Sequence, residues 1–197
     1  WSQLDEWRNL GLTTIAVSIV HYDEQKNRKV YLPYRKEYID LPVLINFLHI
    51  RGFSVRLTCI GADGFIDSKS KLQKLLEFAK ENQVEQLTLT PVNKPDEIIG
   101  EEVSLERCQT TEKQSGNPLP TIISEARKAW SWTNGHHLKP EQLADMTGYV
   151  QSNGSVVLVL AHGAVVYDVK GQNLCLNQCL TVQPEAKEMR NLIFFPD

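Results

Sequence analysis

The chain is short of the features that mark membrane, nucleic-acid-binding and disulfide-rich proteins. It has four cysteines among 197 residues, too few for a disulfide framework in a chain of this length. It has no run of 18 apolar residues, so the sequence predicts no membrane span. Its formal net charge of -3 leaves no basic excess for nucleic acid. These absences favour a protein of the reducing cytoplasm with one main hydrophobic core.

The first half of the chain alternates between strand and helix patterns. The β-branched run of residues 13–20, the alternating run of residues 53–60 and the run of residues 85–92 predict three strands. Asp40 and Ser68 each precede an apolar stripe of helical spacing and are expected to cap helices. The polar residues 21–38 predict a loop. The fold class is therefore α/β, a β-α-β-α-β unit with parallel strands.

The second half has a different character. Residues 96–120 are polar and rich in charge, Pro and Gly, which is typical of a connector. Residues 121–197 predict a small α+β C-terminal extension, with helices over about 121–130 and 140–151. Antiparallel strands are expected on both sides of residues 162–163, and a last strand over 191–195.

Both ends of the sequence indicate a longer protein. The opening "WSQLDEWRNLG" is typical of the end of a helix stopped by Gly11. The closing "RNLIFFPD" ends directly after a strand-like run. We therefore expect the chain to be a fragment.

Polar side chains follow the three predicted strands toward their carboxyl ends, where parallel sheets hold ligands. They are Ser18, His21, Arg56, Thr58, Thr88 and Thr90. An arginine among hydroxyls suits a polar ligand that carries a carboxylate. The alternative is that the hydroxyl residues serve only as strand formers and that Arg56 is a solvated charge. No carboxylate pair stands beside them, apart from His21 with Asp23, which weakens the case for a conventional acid–base barrel enzyme.

Three stretches together carry a family resemblance. "TTIAVSIVHYD", "LPVLINFLHIRGFSVRLTCIGADGFID" and "LQKLLEFAKENQVEQLTLTPV" resemble the second half of the partial (β/α) barrel of radical S-adenosylmethionine (SAM) enzymes. The resemblance covers about residues 1–95. It implies SAM and a [4Fe–4S] cluster as cofactors of the full protein, which would abstract a hydrogen from a small-molecule or peptide substrate.

The resemblance also implies roles for single residues. It puts Ser18 near the cofactor ribose, Arg56 near a carboxylate or hydroxyls, and Thr90 and Pro91 beside the adenine. Thr58 stands where many relatives have Asn. The family's C-x3-C-x2-C motif is absent from this sequence and would lie upstream of Trp1, so this chain alone is expected to be inactive. The alternative function is a non-catalytic binding or scaffold protein on a truncated α/β fold.

The cysteine pair in "NLCLNQCL" raises a separate question. Cys175 and Cys179 have C-x3-C spacing, and several relatives carry auxiliary clusters in their C-terminal extensions. Three interpretations stay open: structural packing, ligands to an auxiliary iron–sulfur cluster or zinc, and a redox pair.

Overall fold

The computed structural model describes residues 2–92, 135–160 and 163–177. Those residues have an α/β fold with one mixed sheet of six strands. The helices are α1 (Ser2–Asn9), α2 (Glu24–Tyr31), α3 (Leu41–Ile50), α4 (Lys69–Glu81) and α5 (Pro140–Asn153). The strands are β1 (Thr14–Ile19), β2 (Ser54–Gly61), β3 (Gln86–Pro91), β4 (Gly154–Val159), β5 (Val165–Val169) and β6 (Gln172–Leu176).

The sheet is parallel at its start and mixed at its end. Its strand order is β1-β2-β3-β6-β5-β4. Strands β1, β2, β3 and β6 pair in parallel, which confirms the predicted β-α-β-α-β unit. β5 is antiparallel to both β6 and β4. Because β1, β2 and β3 follow one another in one direction, right-handed crossovers place the connecting helices on the same side of the sheet.

Alternation along the strands gives the sheet two chemically different faces. On the first, which we call the helix face, β2 presents Val55, Leu57 and Cys59, all fully buried. The second, which we call the hydroxyl face, consists of Ser18, Arg56, Thr58, Thr88 and Thr90. The main core cluster joins helix-face residues to the apolar stripes of α3, α4 and α5, and it contains no hydroxyl-face residue.

The helix signals predicted by the sequence are present, with one difference in capping. The Asp40 side chain accepts a hydrogen bond from the Val43 N–H and so caps α3. Ser68 occupies the capping position of α4, but its side chain makes no capping hydrogen bond. The predicted apolar stripe of α4 is buried: Leu72, Leu75, Leu76 and Ala79.

The prediction of a loop over residues 21–38 was wrong. Residues 24–31 form α2, which begins after Asp23, whose carboxylate accepts from the Gln25 and Lys26 N–H groups. The helix escaped prediction because it has no apolar stripe: its one fully buried residue is Asn27.

The C-terminal strands continue the same sheet, because β6 pairs with β3. The helix predicted near 140–151 is α5, in which Met146 and Val150 are buried. The antiparallel pair predicted on both sides of residues 162–163 is β4 and β5. The connector and the predicted elements over 121–130 and 191–195 lie outside the described residues.

We expect the helix face to carry most of the stability. Leu87 of β3 is fully buried there, so Leu87→Ala should lower the free energy of unfolding by about 2–5 kcal/mol. Val157 of the edge strand β4 is 60% exposed, and Val157→Ala should change it by no more than about 0.5 kcal/mol. Urea unfolding of both variants measures the difference, and equal losses would contradict this assignment of the core.

Candidate functional site

Hydroxyl side chains line up across the parallel strands on one face of the sheet. Ser18 of β1 lies opposite Thr58 of β2, and Thr58 lies opposite Thr88 of β3. Arg56 precedes Thr58 by two residues on β2, so it lies on the same face, between Ala16 and Gln86. Ser18 and Arg56 are exposed, and the two threonines are half-buried. Thr90 lies one step later, opposite Ile60. Four of the five predicted cofactor-binding residues therefore share the hydroxyl face.

The fifth residue, Pro91, lies on the opposite side. It follows Thr90 directly, so its side chain points to the helix face. It pairs with Gly61 of β2 and is buried. The structure therefore separates Pro91 from Thr90, although the two residues are adjacent in the sequence.

Cys175 of β6 lies on the same side of the sheet as the hydroxyl face, opposite Thr88. Its side chain is only 5% exposed and packs with Ala164 and Val166, with Leu160 beside them. Cys179 lies outside the described residues. Within the three described segments, no group of three or more His, Cys, Asp or Glu side chains is arranged to hold a metal ion.

Small residues end β2 because the space around the turn is occupied. A Cβ at Gly61 would lie 3.2 Å from Leu89 Cδ1 and 3.5 Å from Leu138 Cδ1. Gly64 has a φ of +81°, a conformation that residues with a side chain rarely adopt. The stretch "GADG" therefore serves a close approach and a tight turn, and neither requires a ligand.

The segment before α5 closes over this turn. The Asp63 N–H donates to the His136 carbonyl at 2.9 Å, and the Leu138 N–H donates to the Val92 carbonyl at 2.8 Å. The Gln142 amide donates to the Asp63 carboxylate at 2.8 Å. These bonds attach residues 136–142 to the carboxyl ends of β2 and β3.

A polar clamp holds the chain where β1 ends. The Asn27 side-chain oxygen accepts from the Val20 N–H at 2.8 Å and from the His21 N–H at 3.2 Å. Its amide nitrogen donates to the His21 carbonyl at 2.6 Å and to the Asp23 carbonyl at 3.2 Å. The sequence interpretation overlooked Asn27. The available signal was a capping aspartate at the end of a strand followed, one turn later, by an amide side chain.

His21 stands at the centre of this clamp and is only 3% exposed. The Asp23 N–H donates to His21 Nδ1 at 2.9 Å, and the ring centroid lies 4.1 Å from that of Tyr22. Burial lowers the pKa of His21 from 6.5 to about 4, and the nearby Lys26 lowers it further than Asp23 raises it. His21 is therefore neutral at physiological pH.

Comparison of the chain with known proteins finds no match. No family model matches the chain, and no curated protein or solved structure matches it significantly. No helix in the described parts of the chain is both long and apolar enough to cross a membrane.

The Asn27 clamp should be essential to the end of β1. Asn27→Ala leaves buried backbone groups of Val20 and His21 without their partner, at a cost of about 1–3 kcal/mol in unfolding free energy. Lys29→Ala, at an exposed position of the same helix, is the control and should change it by no more than about 0.5 kcal/mol. Urea unfolding distinguishes the two, and a neutral Asn27→Ala would contradict the clamp.

His21 should make the folded state sensitive to mild acid. Its pKa is about 4 in the folded chain, whereas an ordinary exposed histidine has a pKa of 6.5, so between those values the unfolded chain binds more protons. Stability should therefore fall as the pH drops through this window. The charged groups that act on the ring are Lys26, Asp23, Lys71 and Asp67.

The matched variant is His21→Asn, which keeps an acceptor for the Asp23 N–H. Unfolding free energies at about pH 7 and about pH 5 should differ less in His21→Asn than in the parent. An unchanged difference would show that other groups cause the acid sensitivity.

Proposed function

We propose that this chain is part of a radical SAM enzyme, and that the hydroxyl face contributes contacts to SAM and substrate. The observation that carries the proposal is the grouping of Ser18, Arg56, Thr58 and Thr90 on one face. These residues lie on three separate strands, and they are residues to which the sequence resemblance assigns cofactor contacts. The apolar residues of the same strands belong to the core beneath the helices.

The strand order supports a partial barrel as the finer architecture. Strands β1, β2 and β3 are neighbours in the order of the chain, and they pair in parallel. In (β/α) barrels the strands follow one another in this way, with the helices outside. The hydroxyl face would then be the inner face of the barrel.

The described residues suit SAM but do not suit an iron–sulfur cluster. A serine hydroxyl matches ribose hydroxyls, and the Arg56 guanidinium can bind a carboxylate through two parallel hydrogen bonds. No described group of side chains offers three or more thiolates or other metal ligands. The proposal therefore places no ligand of the [4Fe–4S] cluster among the described residues.

The chain's own contribution would be orientation. When bound, SAM and the cluster would supply the chemistry that removes a hydrogen atom from the substrate. Arg56 would bind an anionic group. Ser18 and Thr58, which lie one pair of residues closer to the carboxyl ends of the strands, would bind hydroxyl groups. Thr90 would border the adenine. We place the enzyme in the cytoplasm, where thiolate ligands stay reduced.

SAM binding to this chain tests the proposal. In NMR spectra, addition of SAM should shift the methyl signals of Thr58, Thr88 and Thr90 and the Nε–H signal of Arg56. The methyl groups of Val55 and Leu57, on the helix face of the same strand, should not shift. Because charge-assisted hydrogen bonds are worth about 1.5–3 kcal/mol, Arg56→Ala should weaken binding by tenfold or more.

Two controls sharpen this measurement. Arg35→Ala removes an exposed guanidinium from the loop after α2 and should leave SAM binding unchanged. Arg56→Lys keeps the charge but not the paired geometry and should bind with intermediate affinity. Shifts confined to the helix face, or none with saturating SAM, would refute the proposal and favour a binding or scaffold protein.

A further inference from the structure

Two hydrogen-bond donors converge at the end of β1, and no acceptor from the described residues lies between them. Because the Asp23 N–H donates to His21 Nδ1, that nitrogen keeps its lone pair and the neutral ring carries its proton on Nε2. The Lys26 Nζ lies 3.4 Å from Nε2. A lysine ammonium group has only donors. The two N–H groups therefore face each other and cannot bond to each other.

The neighbouring carboxylates accept hydrogen bonds from other donors. Asp23 Oδ1 accepts from the backbone N–H groups of Gln25 and Lys26. Asp67 binds the Lys71 Nζ at 2.7 Å and accepts from the Gly64 N–H. Among the described residues, none supplies an acceptor to both His21 Nε2 and Lys26 Nζ.

We propose that His21 and Lys26 form an oxyanion site, which binds a carboxylate or phosphate group of a ligand. An oxygen of that group would accept from the His21 Nε2–H and from the Lys26 Nζ. Hydrogen bonds from a charged donor to an ionised oxygen are about twice as strong as neutral ones. The oxyanion thus supplies an acceptor that the described residues do not provide.

The position of the two residues suits such a site. They follow β1 at the carboxyl ends of the parallel strands, the edge at which sheets of this type bind ligands. The Asn27 clamp fixes the His21 backbone, so the ring is held before a ligand arrives. His21 itself is almost fully buried, whereas Lys26 is half-buried. The ligand would therefore enter beside the lysine side chain.

The site does not depend on the proposed SAM chemistry. Ser18 belongs to the hydroxyl face of β1, whereas His21 lies two residues beyond the end of that strand. The binding group of the oxyanion site consists of His21 and Lys26 alone. Its test uses no SAM and no cluster, and the two proposals can fail separately.

Titration of this chain with inorganic phosphate and with acetate, at constant ionic strength, tests the site. NMR of the ¹⁵N-labelled imidazole should show the tautomer protonated at Nε2, and its signal should shift to saturation with one of the two anions. Stronger binding of phosphate would identify a phosphorylated ligand, and stronger binding of acetate would identify a carboxylate ligand.

Variants of Lys26 decide whether the response is specific. Lys26→Met should weaken anion binding by tenfold or more, whereas Lys26→Arg should keep most of it. Lys29→Met, which removes a positive charge from an exposed position of the same helix, should leave binding unchanged. The proposal is overturned if His21 shows no saturable shift, or if Lys26→Met and Lys29→Met have the same effect.

Discussion

The parallel register of β1, β2 and β3 is the constraint on which the rest of the structure depends. Pairing Val17 with Leu57, and Leu57 with Leu87, puts one apolar layer under the helices. The same register necessarily collects Ser18, Thr58 and Thr88 on the other face. A slip of one residue would exchange the two faces and expose the core. The same strand register therefore determines both the core and the arrangement of the hydroxyl face.

The carboxyl edge of the sheet is built by a different kind of interaction. There the backbone leaves regular pairing, and a buried side chain and a neighbouring backbone segment supply the hydrogen bonds that the strands no longer provide. Asn27 does this for the end of β1, and residues 136–142 do it for the ends of β2 and β3. The proposed oxyanion site lies at this edge, because His21 is two residues beyond the end of β1.

Periodicity predicted those parts of the fold that are organised by apolar burial. The three parallel strands, α3, α4 and α5 were all recognisable from apolar spacing and capping residues. α2 was not, because it presents no apolar stripe and is held by Asn27. Strand alternation accounts for which polar residues share a face, but the assignment of Pro91 came from the resemblance and ignored that alternation. The Lys26–His21 contact depends on a turn geometry that residue spacing does not encode.

Photolabelling with an azido-adenine derivative of SAM is the most direct test of the central claim, that the hydroxyl face binds this cofactor. The account predicts that the label attaches within residues 86–91, next to Thr90, and that excess unmodified SAM prevents it. Mass spectrometry of the digested chain would locate the adduct. Attachment to the helix layer, or labelling that excess SAM does not reduce, would contradict the account.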